Sequence, residues 1–132
     1  MILVDTSVWI DYFRDRPTRE VDRLVQLLVE GTPLLGDLIL AELLQGCDAD
    51  REFAQVKFAL DNLQWIEICG ATVALQAAQN YRTLRRRGIT VRKTIDTLIA
   101  TRCIVDSIPL LYSDRDFDPF VKHLGLIPCP AK

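Results

Sequence analysis

A three-layer α/β/α domain with a central parallel sheet is the fold the sequence predicts. Short, continuously apolar runs such as Ile2-Leu3-Val4 and Leu110-Leu111-Tyr112 read as strands buried on both faces, and helical patterns alternate with them. Size agrees: 132 residues with 49% hydrophobic content suit one packed domain over 1–132.

The elements follow in order. A strand at 2–4 gives way at Thr6-Ser7 to a short helix carrying Val8, Trp9, Tyr12 and Phe13. Pro17 cannot continue it, and Thr18 is a good N-cap for a helix over about 19–30, whose Val21, Leu24, Val25 and Leu28 keep helical spacing and which stops at Gly31. Pro33 to Gly36 reads as a short strand, after which Asp37 is placed to cap a helix through Gln45 that Gly46 ends. A helix from about 51 to 62 lines up Phe53, Val56, Leu60 and Leu63, and Trp65, Ile66 and Ile68 suggest a strand.

From Ala71 to about Arg87, Val73, Ala77, Tyr81 and Leu84 form an apolar stripe that Gly88 closes. Thr94 is placed to cap a helix over Ile95 to about Ser107, apolar on several sides and therefore central in the domain. Pro109 starts a strand through Tyr112, a helix is expected near Arg115, and Leu126-Ile127 suggests a last edge strand.

Composition excludes several classes. No apolar stretch reaches the ~20 residues a membrane span needs, and Met1 leads directly into a strand pattern without a basic signal-peptide head, so a cytoplasmic protein with no membrane partner is expected. Cys47, Cys69, Cys103 and Cys129 lack the paired spacing of structural zinc sites and read as free thiols. Net charge is −2, but it is unevenly spread: residues 68–95 hold six bases and no acid, inside an otherwise acidic chain.

Four acids stand at strand ends or helix starts: Asp5, Glu42, Asp96 and Asp114. Each has an ordinary explanation as a cap, a helix-dipole partner or a solvated residue. Together they say more, because Asp5 ends an apolar strand and Asp96 opens the most apolar helix, where an unpaired charge is costly. A shared cation would offset that cost, and hard oxygen ligands favour Mg²⁺ or Mn²⁺ over zinc. Such a site suits metal-activated water attacking phosphorus. With His123 the only histidine, a mechanism using two imidazoles is excluded.

Leu3-Val4-Asp5-Thr6-Ser7, Ala41-Glu42-Leu43, Thr94-Ile95-Asp96-Thr97-Leu98-Ile99-Ala100 and Tyr112-Ser113-Asp114-Arg115-Asp116-Phe117 resemble the four acidic motifs of PIN-domain nucleases. In length and motif spacing the chain is similar to the VapC-type toxins of type II toxin–antitoxin systems. The resemblance implies a metal-dependent endoribonuclease with a PIN-like parallel-sheet fold, homodimeric and inhibited by a VapB-type antitoxin. It assigns Asp5 and Asp96 as principal metal ligands, Glu42 as a water-mediated ligand or positioner of the nucleophile, and Asp114 as the fourth acid, with Asp116 the other candidate for that place. Thr6 and Ser113 would orient these carboxylates.

An RNA substrate gives the basic segment a role: Arg82, Arg85, Arg86, Arg87, Arg92 and Lys93 form either a phosphate clamp or a solvated face. Trp9, Tyr12 and Phe13 are read as core or dimer contacts in preference to base-stacking residues. Two other functions compete. A phosphatase of the haloacid dehalogenase type would place a second acid where Ser7 stands, and a catalytically idle PIN-like module would bind RNA or protein without turnover.

Overall fold

The computed structural model describes residues 1–130, so the last two positions of the expected 1–132 domain lie outside the described residues. Four strands, β1 (Ile2–Val4), β2 (Pro33–Gly36), β3 (Gln64–Ile66) and β4 (Leu110–Leu111), form one sheet in the order β3-β2-β1-β4. All three pairings are parallel, with Leu3 opposite both Leu34 and Leu110. Leu3, Val4, Leu35 and Leu110 are fully buried, as expected of a sheet covered on both faces.

Among the described residues seven helices cover it: α1 (Thr6–Phe13), α2 (Arg19–Glu30), α3 (Asp37–Gln45), α4 (Asp50–Leu60), α5 (Ala71–Arg86), α6 (Thr94–Asp106) and α7 (Asp118–Leu124), the last entered through a 3₁₀ turn at Arg115–Phe117. They fall into two groups. In one, α1 packs on α2 and α3, and α3 on α4; in the other, α5 packs on α6 and α7. The expected three-layer α/β/α architecture is therefore present.

Local chemistry fixes the helix ends that matter. The Thr18 hydroxyl accepts from the Val21 amide at 3.0 Å, a cap worth ~1 kcal/mol, and Gly31 ends α2 in the left-handed region at φ 72°. Two expected caps fall differently. Gly36 caps α3, which leaves Asp37 inside the first turn, where its Oδ1 accepts from the amides of both Leu38 (2.8 Å) and Ile68 (2.9 Å) and ties the start of α3 to the segment after β3. Lys93 takes the cap position of α6 without a side-chain bond, so Thr94 is already helical and Asp96 lies in the first turn.

Three further expectations are corrected. The Leu126-Ile127 strand reduces to one parallel bridge between Leu110 and Pro128, in which Leu110 donates to the Ile127 carbonyl at 2.9 Å and accepts from the Cys129 amide at 2.8 Å, with Pro128 in the edge position that prolines tolerate. The strand expected from Trp65, Ile66 and Ile68 forms as β3 over Gln64–Ile66, so Ile68 lies beyond it, and Trp65 is 51% exposed on this edge strand. Val56 and Leu60 carry the buried face of α4, whereas Phe53 is 42% exposed and Leu63 lies beyond the end of the helix.

Trp9 is buried and stacks on Phe13, with Tyr12 edge-on to both. These aromatics are core and rim packing, as expected. All four cysteines are free, and no helix among the described residues is long and apolar enough to cross a membrane.

Candidate active site

The order β3-β2-β1-β4 reverses direction at β1, since β2 lies on one side of it and β4 on the other. Chain segments leaving neighbouring strands diverge at such a point and open a crevice at their carboxyl ends. Asp5 follows β1, Glu42 stands on the helix that follows β2, and Asp114 and Asp116 follow β4. α6 brings Asp96 to them.

Asp5 is 4% exposed and sits at the N-cap of α1, so the capping role and the site role fall on one residue. Its Oδ2 accepts from the Ser7 amide at 3.0 Å and from the Ser7 hydroxyl at 2.6 Å. That hydroxyl also accepts from the Ser113 amide at 3.1 Å, linking the ends of β1 and β4. Ser7 was missed in reading the sequence for supporting residues, yet a signal was there: a serine two places after a capping aspartate is positioned to bond it. Ser113 itself contributes its backbone, and its buried hydroxyl has no partner. Thr6 donates to Glu42 Oε1 at 2.7 Å, as a residue orienting that carboxylate should.

Asp96 is the most perturbed acid. It is 5% exposed, its Oδ2 is buried without a hydrogen-bond partner, and its pKa is raised to about 7, first by burial and then by the negative charge of Asp5. Burial likewise raises Asp5, against the lowering effect of Ser7. An orphaned oxygen in a group of carboxylates lacks a positive partner, and a hard divalent cation fits that donor set.

The tightest grouping among the described residues is Asp96, Asp114 and Asp116, which offer oxygens within 4.8 Å of one another. Asp114 caps the 3₁₀ turn by accepting the Asp116 amide at 2.9 Å, and Asp116 lies within that turn. Both acids therefore face the site region. Lys93 approaches Asp114 at 4.0 Å, and Arg92 holds Asp116 at 3.1 Å.

The remaining bases are exposed on α5 and just after it. Arg82 bonds Gln79, Arg85 lies over the Tyr81 ring, and Arg87 lies 3.5 Å from His123 Nδ1. On the other side of Glu42, a cavity of about 490 Å³ opens between α1, α3 and α4, with Phe13, Arg14, Asp48, Glu52 and Val56 in its wall. Nothing in the sequence pattern announced this groove, because its lining comes from three helices at irregular spacing.

Residues 2–121 match the PIN domain family. The chain is 32% identical over 128 residues to ribonuclease VapC11 of Mycobacterium tuberculosis, covering 96% of each protein. It is 27% identical to ribonuclease VapC1 of Methanocaldococcus jannaschii, covering 95% of this chain and 84% of that one. In structure it is similar to a chain of VapBC2 from Rickettsia felis bound to a promoter DNA fragment (TM-score 0.78, 20% identity, 98% of each chain). A chain of VapBC-1 from nontypeable Haemophilus influenzae gives a TM-score of 0.74 at 19% identity, over 99% of this chain and 98% of that one.

Proposed function

The chain belongs to the PIN-domain family, and from that premise we propose that it is a VapC-type endoribonuclease, dependent on Mg²⁺ or Mn²⁺, acting as the toxin of a toxin–antitoxin pair. The observation that carries this reading is the buried, partnerless Asp96 Oδ2 among carboxylates from the ends of β1 and β4 and from α3. Asp5, Asp96, Asp114 and Asp116 would hold the cation, with Glu42 placed by Thr6 to orient the attacking water. A bound cation would lower the pKa of that water and stabilise the charge developing on phosphorus.

The protein's own part is positional. Ser7 fixes Asp5 in one rotamer, Lys93 tempers the charge at Asp114, and the exposed arginines of α5 offer phosphates a counter-charge that the acid pocket cannot. Arg82, Arg85, Arg86 and Arg87 are assigned to the RNA backbone, with Arg92 and Lys93 nearest the acids.

A homodimer and a VapB-type antitoxin complete the reading. The groove between α1, α3 and α4 is where the antitoxin would dock: Asp48 and Glu52 favour a basic segment, and Phe13 and Val56 give it apolar contact. Its border on Glu42 would put the occupant beside the site.

Incubation of the purified protein with RNA and Mg²⁺ or Mn²⁺ tests the assignment. Cleavage should need the metal and vanish in Asp5→Asn and Asp96→Asn. Robust cleavage by those variants would overturn the mechanism, and no cleavage by wild type under any divalent metal would favour an idle binding module.

A further inference from the structure

The loop between α5 and α6 carries a tethered cation into the acid cluster. One terminal nitrogen of Arg92 lies 3.1 Å from each oxygen of Asp116, while the adjacent Lys93 only reaches 4.0 Å from Asp114. The two partners differ in setting. The Arg92 side chain is 76% exposed and that of Asp116 only 23%.

Asp116 is one of the three acids whose oxygens converge within 4.8 Å, so the place a divalent cation would contact is already neutralised from within the chain. A guanidinium does not deprotonate in a protein, so Arg92 leaves Asp116 only by swinging away. Its exposure makes that movement easy, since a solvent-screened pair is held weakly. A dication and a guanidinium on the same carboxylate would repel each other, which makes the two occupancies competitive. The displaced arginine stands two residues before α6, in the basic segment, and its planar fork matches phosphate oxygens.

Resting on the metal-dependent nuclease reading above, we propose that Arg92 and Asp116 form a latch: the guanidinium holds Asp116 until a divalent cation takes that carboxylate, and the freed arginine then takes a substrate phosphate. Metal loading and substrate grip are thereby coupled through one side chain. Because Arg92 lies in solvent, its replacement leaves the core untouched.

Calorimetric titration of the RNA-free protein with Mn²⁺ tests the first half. Arg92→Gln should bind Mn²⁺ about fivefold more tightly than wild type, from the removal of one competing charge. In an Asp116→Asn background the same substitution should change nothing. Equal tightening in both backgrounds would make Arg92 a general charge effect and overturn the latch, as would unchanged or weaker binding in Arg92→Gln. Adenosine 5′-monophosphate, which has no phosphodiester to cleave, tests the second half: Mn²⁺ should raise its affinity more in wild type than in Arg92→Gln, and an equal rise would overturn the release. Wild type that binds no Mn²⁺ would bring down the metal-dependent reading itself, whereas binding indifferent to Arg92 brings down the latch alone.

Discussion

Ser7 and Ser113, 106 positions apart, meet where β1 and β4 end: the Ser7 hydroxyl accepts the Ser113 amide at 3.1 Å while donating to Asp5 Oδ2 at 2.6 Å. One oxygen thus closes the sheet and fixes the carboxylate beside it. Removing it leaves a backbone N–H unpaired and frees Asp5 to rotate.

Ser7→Ala should therefore lower both activity and stability. Loss of a hydrogen bond to a charged group costs about 1.5–3 kcal/mol, and loss of a ligand-orienting partner costs about 10–100-fold in activity. Urea unfolding and RNA cleavage rates measured on the same preparation check both, and an unchanged rate would remove Ser7 from the site.

Thr6→Val isolates a different effect. Valine keeps the shape but cannot donate to Glu42 Oε1, so the cleavage rate should fall about tenfold. Stability should change far less than in Ser7→Ala. A comparison of initial rates and denaturation midpoints separates the two.

Asp96 makes the metal-free protein sensitive to pH. Its folded pKa, about 7, is above the ordinary 3.8, so folding favours the protonated form. That stabilisation is fully present below pH 3.8 and is lost as pH rises through about 7, by on the order of 4 kcal/mol. Melting temperatures of metal-free protein should fall between pH 5 and 8, the Asp96→Asn variant should show a flatter profile, and Mn²⁺ should restore stability most at the upper end.

Gly36 caps α3 at the end of β2, and a Cβ there would meet Ile68 Cδ1 at 2.7 Å and Cγ1 at 2.9 Å. Its φ of −79° suits any residue, so the constraint is space alone. Gly36→Ala should cost about 1–3 kcal/mol through overpacking, and Ile68→Val in the same chain should recover part of it. Denaturant midpoints of the single and double variants decide the matter.

The arginines of α5 should act through salt. Replacing Arg85, Arg86 and Arg87 together with Gln should flatten the slope of log affinity for single-stranded RNA against log salt by about 2. Fluorescence anisotropy with the Asp96→Asn protein measures it without cleavage. An unchanged slope would return these residues to the role of a solvated helix face.

Much of this was legible in the chain because its signals are local. Gly31, Thr18 and the apolar runs mark element ends through backbone chemistry that needs no distant partner. Asp5 and Asp96 were visible as charges in apolar surroundings, and burial bears that out. Distant geometry was hidden: the Asp37 carboxylate bonds the Ile68 amide 31 positions on, and Arg92 reaches Asp116 across 24. Local pattern also misplaced Thr94, a fine capping residue in isolation, because α6 begins one residue earlier than expected, at Thr94, with Lys93 in the cap position.

The pairing of β1 with β4 has a consequence for synthesis. Asp5 follows the strand that comes early in the chain, whereas Asp114 and Asp116 follow the strand that completes the sheet. A nascent chain thus holds an incomplete carboxylate set until translation has passed residue 116. Assembly of the full set therefore waits on the strand that completes the sheet.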